Sequence, residues 1–384
     1  MALTPTLLAA IPFAIWLYLF FFRGNFWQVH EDTAELPSPK RWPRVVAIVP
    51  ARDEAETISR SVTSLARQNY PGEFSVVVID DHSTDGTAEL ARKAAEECAA
   101  TRKVTVYSAS ELPRGWTGKV WATKEAVAAV ADQAPAYFWL TDADIEQAPD
   151  ALGRLVCRAE RDSLDLASFM VLLPVKALPE RLLIPPYLYF FLMLYPPNWV
   201  ADPRARTAAA AGGSILMRRE ALARIGGMAA VRSEVIEDCA LAAAVKRSGG
   251  KIWLGLTRAS LSLRRYPRFK EMRELIARVA FTELRYSFFL LLGCLATLLV
   301  VYLLPWVVFF AYPGEAWLLV DTTVALMAAS FVATVKFYGL SWLWALTLPA
   351  AALFYAYATC VSAVRYWLGR GGQWKGRAQA PQER

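Results

Sequence analysis

The sequence predicts an α/β domain with a mostly parallel central sheet, joined to transmembrane helices at both ends of the chain. Three observations predict it. Apolar runs of strand type alternate with helical spacing from Val45 to Leu140, and long uncharged runs occupy both ends. The composition also fits neither a soluble nor an all-membrane protein. Hydrophobic residues make up 55% of the 384 and mean hydropathy is +0.28, yet 20% are charged.

Met1 to Phe22 is uncharged and rich in Leu, Ile, Phe and Trp. About 20 such residues span a bilayer as a helix. A cleaved signal peptide needs a basic start and a small-residue cleavage site, and neither is evident. An uncleaved anchor over 1–23 is expected. Arg23, Lys40, Arg41 and Arg44 follow it, which places the next region in the cytoplasm by the positive-inside rule. Residues 24–43, with Leu36-Pro37-Ser38-Pro39, read as a linker.

The domain is expected over 44–285. Val45–Val49, Phe74–Ile79, Val104–Tyr107 and Tyr137–Leu140 are its strands. Ala55–Gln68, with Ile58, Val62 and Leu65 on one face, and Lys119–Ala131 are helices between them. In such a sheet ligands bind at the carboxyl ends of the strands. Beyond Arg285, Ser287–Gly314 and Phe337–Val364 are uncharged, and Ala316–Val335 is apolar apart from Asp321. Three spans are expected over 286–366, followed by a basic tail over 367–384. Three crossings put that tail outside, whereas its Arg370, Lys375, Arg377 and Arg384, with Arg365 before it, favour the inside. A further apolar segment over 181–200 carries Pro185-Pro186 and Pro196-Pro197 around Tyr187–Tyr195. Nine helical residues cover roughly 13 Å, short of a bilayer core of ~30 Å. The segment is a buried core helix or, with its aromatics, an interfacial one near a lipid entrance.

Five scattered cysteines give no disulfide framework or zinc spacing, and two histidines exclude a His-rich metal centre. Acid–base chemistry therefore falls to carboxylates. Asp80-Asp81 directly follows one apolar run and Thr141-Asp142-Ala143-Asp144 another. Two carboxylates one residue apart can hold a hard divalent cation whose shell phosphate oxygens complete. The net charge of +7 suits an anionic membrane surface or substrate; much of it flanks apolar segments, so no nucleic-acid partner is expected.

Five ordered motifs carry a resemblance: Val49-Pro50-Ala51-Arg52-Asp53-Glu54, Asp80–Thr87, Gly118-Lys119, Thr141–Asp144 and Ile236-Glu237-Asp238. Together they resemble the inverting family 2 glycosyltransferases of GT-A fold. Gly115–Lys119 and Trp374-Lys375-Gly376-Arg377 resemble the hopene-associated members of bacterial hopanoid gene clusters. The resemblance implies a nucleotide-sugar donor, UDP-linked by family default, a lipid acceptor, a Mn²⁺ or Mg²⁺ ion, and a bacterial inner-membrane protein facing the cytoplasm. It implies that Pro50, Ala51, Arg52, Glu54, Asp80 and Asp81 line the nucleoside pocket and that Lys119 meets the base or diphosphate. Asp142 and Asp144 would serve ribose and metal, Asp144 as the more direct ligand. Asp238, beside Glu237, would be the general base, and the same pair would equally begin a helix. Gly212-Gly213-Ser214 allows close backbone approach to an acceptor or makes an ordinary turn. The family's QxxRW motif survives only as Arg278, within Leu275–Val279, as a diphosphate ligand. A processive polysaccharide synthase shares these signals but usually has more spans; a non-catalytic membrane scaffold would not need the carboxylates.

Overall fold

The computed structural model describes residues 4–100, 103–314, 316–369, 371, 373–374 and 377–378. Contacts divide the chain into two units. One comprises the described residues of Glu31–Pro174, Trp199–Arg265 and Gln373–Arg384; the other, those of Met1–His30, Val175–Asn198 and Tyr266–Gly372.

The first unit is Rossmann-like. Its strands are β1 (Val45–Ala51), β2 (Phe74–Asp80), β3 (Val104–Ser108), β4 (Tyr137–Leu140), β5 (Ile145–Glu146), β6 (Leu166–Leu172), β7 (Ile215–Arg218) and β8 (Ile252–Ser262), in the order β3-β2-β1-β4-β7-β6-β8-β5. β1 to β4 pair in parallel; β1 and β4 are apolar runs buried along their whole length, as central parallel strands should be, while β3 lies at the edge and is largely exposed. The mostly parallel GT-A sheet expected from sequence is nevertheless corrected to a mixed one. β7 runs antiparallel to both β4 and β6, and β5 antiparallel to β8. The chain's path is the reason. It leaves β6 at the carboxylate-bearing end of the sheet and returns at Gly212-Gly213, beside Asp142 at that same end, so β7 must run downward. Ile58, Val62, Leu65, Leu152 and Leu155 pack under β1 and β2 with Trp139 to form the core.

The other unit is helical. The expectation of membrane helices at both ends is also corrected, because among the described residues the helices long and apolar enough to cross a bilayer cluster near the C-terminus. They are Phe288–Ala311, Trp317–Phe337 and Trp342–Trp367. The N-terminal helix α1 (Pro5–Phe21) has only 17 residues, roughly 25 Å at 1.5 Å per residue. It packs against the spans, with Ala9 meeting Val308 and Val320. Pro305 lacks the N–H that an α-helical bond to the Val301 carbonyl requires, and the buried Trp16 indole donates there instead at 3.0 Å. The aromatic segment over 181–200 is not cut by its first proline pair. Pro185 and Pro186 lie inside one 17-residue helix, Leu178–Leu194, whose Leu183, Leu188, Tyr189 and Leu192 are buried. Tyr189 shares a 2.7 Å hydrogen bond with Ser330, and the Tyr355 hydroxyl donates to the Leu183 carbonyl at 2.9 Å. Of the basic tail, Arg370, Lys375 and Arg384 lie outside the described residues, as does Gly376 of the terminal motif.

Candidate active site

β1, β2 and β4 all end at one edge of the sheet, and each releases its acidic residues there. Pro50 and Ala51 are the buried last residues of β1, and the Ala51 carbonyl accepts the Asp81 N–H at 2.8 Å. Asp53 and His82 turn the chain with φ of +49° and +55°, the left-handed region that Asp and His tolerate better than most residues. The two loops are then laced together. Asp53 N–H donates to Ser83 Oγ at 2.9 Å, Thr84 N–H to Asp53 Oδ1 at 2.9 Å, and Glu54 N–H to Thr87 Oγ1 at 2.8 Å. Arg52 donates to the Asp81 carbonyl and lies 3.7 Å from its buried carboxylate, while Asp80 Oδ2 accepts Ser83 N–H at 3.1 Å.

Beyond β4, two clusters form around the Asp142 and Asp144 pair. Lys119, in the first turn of the helix Gly118–Ala129, places Nζ 2.6 Å from Asp142 Oδ1 and 2.5 Å from Glu237 Oε1. Glu237 and Asp238 open the helix Glu237–Arg247, where its positive end favours carboxylates. Asp238 accepts two backbone N–H groups, Gly212 at 2.8 Å and Cys239 at 2.7 Å. A Cβ on Gly212 would meet Asp238 Oδ2 and Lys119 Nζ at 3.3 Å and Asp142 Oδ2 at 3.5 Å. Gly212 is thus the point on which three expected site residues converge. The second cluster is Arg264, whose Nε donates to Asp144 Oδ2 at 2.8 Å and whose Nη2 donates to Glu54 Oε1 at 2.6 Å.

Electrostatics follow this geometry. Burial, then repulsion from Glu237, pushes Asp238 up to about 7, against the pull of Lys119 and the two N–H groups. Burial and the charges of Asp142 and Glu54 raise Asp144, with Arg264 opposing them. Burial disfavours the Lys119 ammonium, but Asp142 and Glu237 outweigh it and keep the group charged.

Two clusters of contacts therefore join five carboxylates (Glu54, Asp142, Asp144, Glu237, Asp238) to two cations (Lys119, Arg264), a balance of −3 when all are ionised. No group of three metal-ligating side chains occurs among the described residues. Two carboxylates that rely on phosphate oxygens for the rest of a shell suit Mg²⁺ or Mn²⁺ nonetheless, and the negative excess favours a cation. In that sense the residues fit a divalent ion.

Of the expected site residues, Arg278 alone is not drawn into these contacts. It belongs to the helical unit, exposed on the helix Phe269–Glu283. Arg264 was missing from the expected set. Its only sequence signal is a basic pair, Arg264-Arg265, two residues past the end of β8, whose outer half does not stand out as a strand in the sequence.

Residues 46–226 match the family described as Glycosyl transferase family 2. An N-acetylglucosaminyltransferase of Mesorhizobium japonicum is 30% identical over 140 residues, which are 36% of this chain and 31% of that protein. Glycosyltransferase AglE of Haloferax volcanii is 40% identical over 52 residues, 13% of this chain and 17% of that protein. This chain therefore spans less than a third of the length of either curated relative. The structure of the mannosyltransferase PcManGT from Pyrobaculum calidifontis, in complex with GDP-Man and Mn²⁺, has a TM-score of 0.56 at 20% identity. The superposition covers 94% of this chain and 99% of that one, a likeness of fold.

Proposed function

We propose, from the premise that residues 46–226 form a glycosyl transferase family 2 domain, that this chain moves a sugar from a nucleotide-sugar to the hydroxyl of a membrane lipid. The reading takes the donor as UDP-linked, the acceptor as a hopanoid-type lipid and the catalytic unit as cytoplasmic. The observation that carries it is the convergence of Asp238, Lys119 and Asp142 on the Gly212 backbone, at the carboxyl edge of the sheet. The three apolar helices of the helical unit support an integral-membrane location, and with it an acceptor drawn from lipid.

Asp238 is the general base. Its carboxylate takes the proton of the acceptor hydroxyl as that oxygen attacks the anomeric carbon. The bond to the donor phosphate breaks on the opposite face and its electron pair leaves with the diphosphate, so the configuration inverts. A pKa near neutrality suits this work, because the group is ionised at working pH yet basic enough to hold the proton. Glu237 and Lys119 set that value in opposite directions. Arg52, Glu54, Asp80 and Asp81, with Pro50 and Ala51 behind them, form the nucleoside side of the site. A divalent cation held by Asp142 and Asp144 would supply positive charge to the departing diphosphate.

The test is a screen of the purified full chain in detergent with Mn²⁺, a panel of UDP- and GDP-sugars and a membrane lipid extract. A glycosylated lipid identified by mass spectrometry, and lost on chelation or in Asp238→Asn, is the expected result. Acid-insoluble polymer instead of glycolipid would point to a processive synthase and overturn the lipid reading.

A further inference from the structure

Arg264 is held in place from two directions. Ser262, the last residue of β8, pairs with Ile145, and the Leu263 N–H donates to the Asp144 carbonyl at 2.7 Å. That short ladder sets the Arg264 backbone beside Asp144. The guanidinium then bridges carboxylates from two different strand ends, Asp144 after β4 and Glu54 after β1. Both acids are well enclosed, with side chains 15% and 11% exposed, whereas Arg264 keeps 30% of its side chain at the surface. The arrangement suits arginine in particular. Its planar fork satisfies two acceptors at once and it stays charged at any working pH, while one ammonium is a single point charge.

A divalent ion on Asp144 must share or take the oxygen that Arg264 holds. We propose that Arg264 is a positioning residue, a resident cation that occupies Asp144 and Glu54 until a divalent ion displaces it. The inference rests on the reading above that Asp142 and Asp144 take such an ion. Two consequences follow. The guanidinium lowers affinity for the ion alone, because a metal must compete with a positive charge in direct contact with one of its ligands. It also couples the ion to the nucleotide. A displaced guanidinium needs another anion, and the donor diphosphate supplies one, so each ligand tightens the other. Lys119 differs, since it joins Asp142 to Glu237 and leaves the Asp144 cluster to Arg264.

Mn²⁺ binding to the full-length chain in detergent tests this without any turnover. The electron paramagnetic resonance signal of free Mn²⁺ is followed during titration of wild type, Arg264→Lys and Arg264→Gln, each with and without UDP or GDP. Arg264→Gln should bind Mn²⁺ alone at least about tenfold more tightly than wild type. Arg264→Lys should fall between, because one ammonium does not bridge both acids. The tightening of Mn²⁺ by nucleotide should be strong in wild type and reduced in Arg264→Gln. Should Arg264→Gln fail to fold, the comparison of wild type with Arg264→Lys carries the same ordering. Equal or weaker Mn²⁺ binding in the variants overturns the proposal while leaving the ion site standing. If no protein binds Mn²⁺ with either nucleotide, the ion reading of Asp142 and Asp144 fails, and this one with it.

Discussion

Asp238→Asn should remove activity and raise stability together, a combination that a damaged fold does not give. The native carboxyl titrates at about 7, against 3.8 for an ordinary aspartate, because burial and Glu237 disfavour its charge. Between these values the unfolded chain has lost the proton that the native chain keeps. Stability therefore falls as pH rises from about 4 to about 7 and is level above that. A gap of roughly three units corresponds to at most about 4 kcal/mol at 1.36 kcal/mol per unit. Asn, like the protonated carboxyl, removes this cost and keeps one acceptor oxygen for the Gly212 and Cys239 N–H groups, whose pull on the charged form is already contained in that value. The residue is, however, only partly enclosed. The net expectation is a variant about 1–2 kcal/mol more stable near pH 8, with the difference vanishing near pH 4. Turnover should drop by about 10²–10⁴-fold. In wild type the acidic limb of kcat/KM should bend near pH 7 and fall about tenfold per unit below it. Glycolipid formation and thermal melts in detergent across that pH range measure both. A variant that turns over within tenfold of wild type, or a wild-type limb below about pH 5.5, refutes the reasoning.

Three further outcomes test the surrounding structure. Gly212→Ala places a methyl 3.3 Å from Asp238 Oδ2 and Lys119 Nζ, so turnover should fall roughly tenfold or more with little change in melting temperature; unchanged kcat would show that the convergence is idle. Lys119→Met removes the positive charge that favours ionised Asp238, so the acidic limb should move up by about one unit, and a limb that stays put would exclude Lys119 from setting it. Trp16→Phe leaves the buried Val301 carbonyl without its indole donor and should cost about 1–3 kcal/mol by thermal melt. Adding Pro305→Ala restores a backbone donor and should recover part of that loss.

What could be read from the sequence was what is local. The strands at Val45, Phe74, Val104 and Tyr137 are short, predominantly apolar runs, and the parallel pairing of the central ones goes with burial on both faces. The acids that end them are visible for the same reason. In the other half of the sheet only β6 and the start of β8 carry such a mark. β7 has four residues, β5 has two, and the outer half of β8 mixes polar with apolar residues where its pairing with β6 is irregular and the two-residue β5 flanks it. Their directions depend on where the chain returns after leaving the unit at Val175, which no local pattern encodes. Arg264 was invisible on the same ground, since its partners lie 120 and 210 residues away in sequence. The sequence offers Arg278 instead, through a motif of which one residue remains. The prolines at 185 and 186 misled in the opposite way: tertiary contacts of Tyr189 and the Leu183 carbonyl hold a helix that proline disfavours.

Charge misleads at the level of the whole chain and informs at the level of the site. A net charge of +7 suggests an anionic ligand drawn in by a basic surface, yet the clustered acids around Lys119 and Arg264 reach −3 when all are ionised. A nucleoside diphosphate entering without a divalent ion meets repulsion, and Asp238 governs part of it because its carboxyl is pushed up to about 7. Its proton, held below about pH 7, removes one negative charge. Binding of UDP or GDP in the presence of chelator should therefore weaken as pH rises from about 6 to about 8, by up to roughly tenfold. Isothermal titration measures this directly. The nucleotide's own terminal phosphate also ionises over that interval, so Asp238→Asn is the necessary comparison: it should bind more tightly than wild type at the higher pH and equally at the lower. If the two proteins respond to pH alike, the charge on Asp238 does not reach the phosphates, and its place as the base facing the anomeric carbon has to be given up.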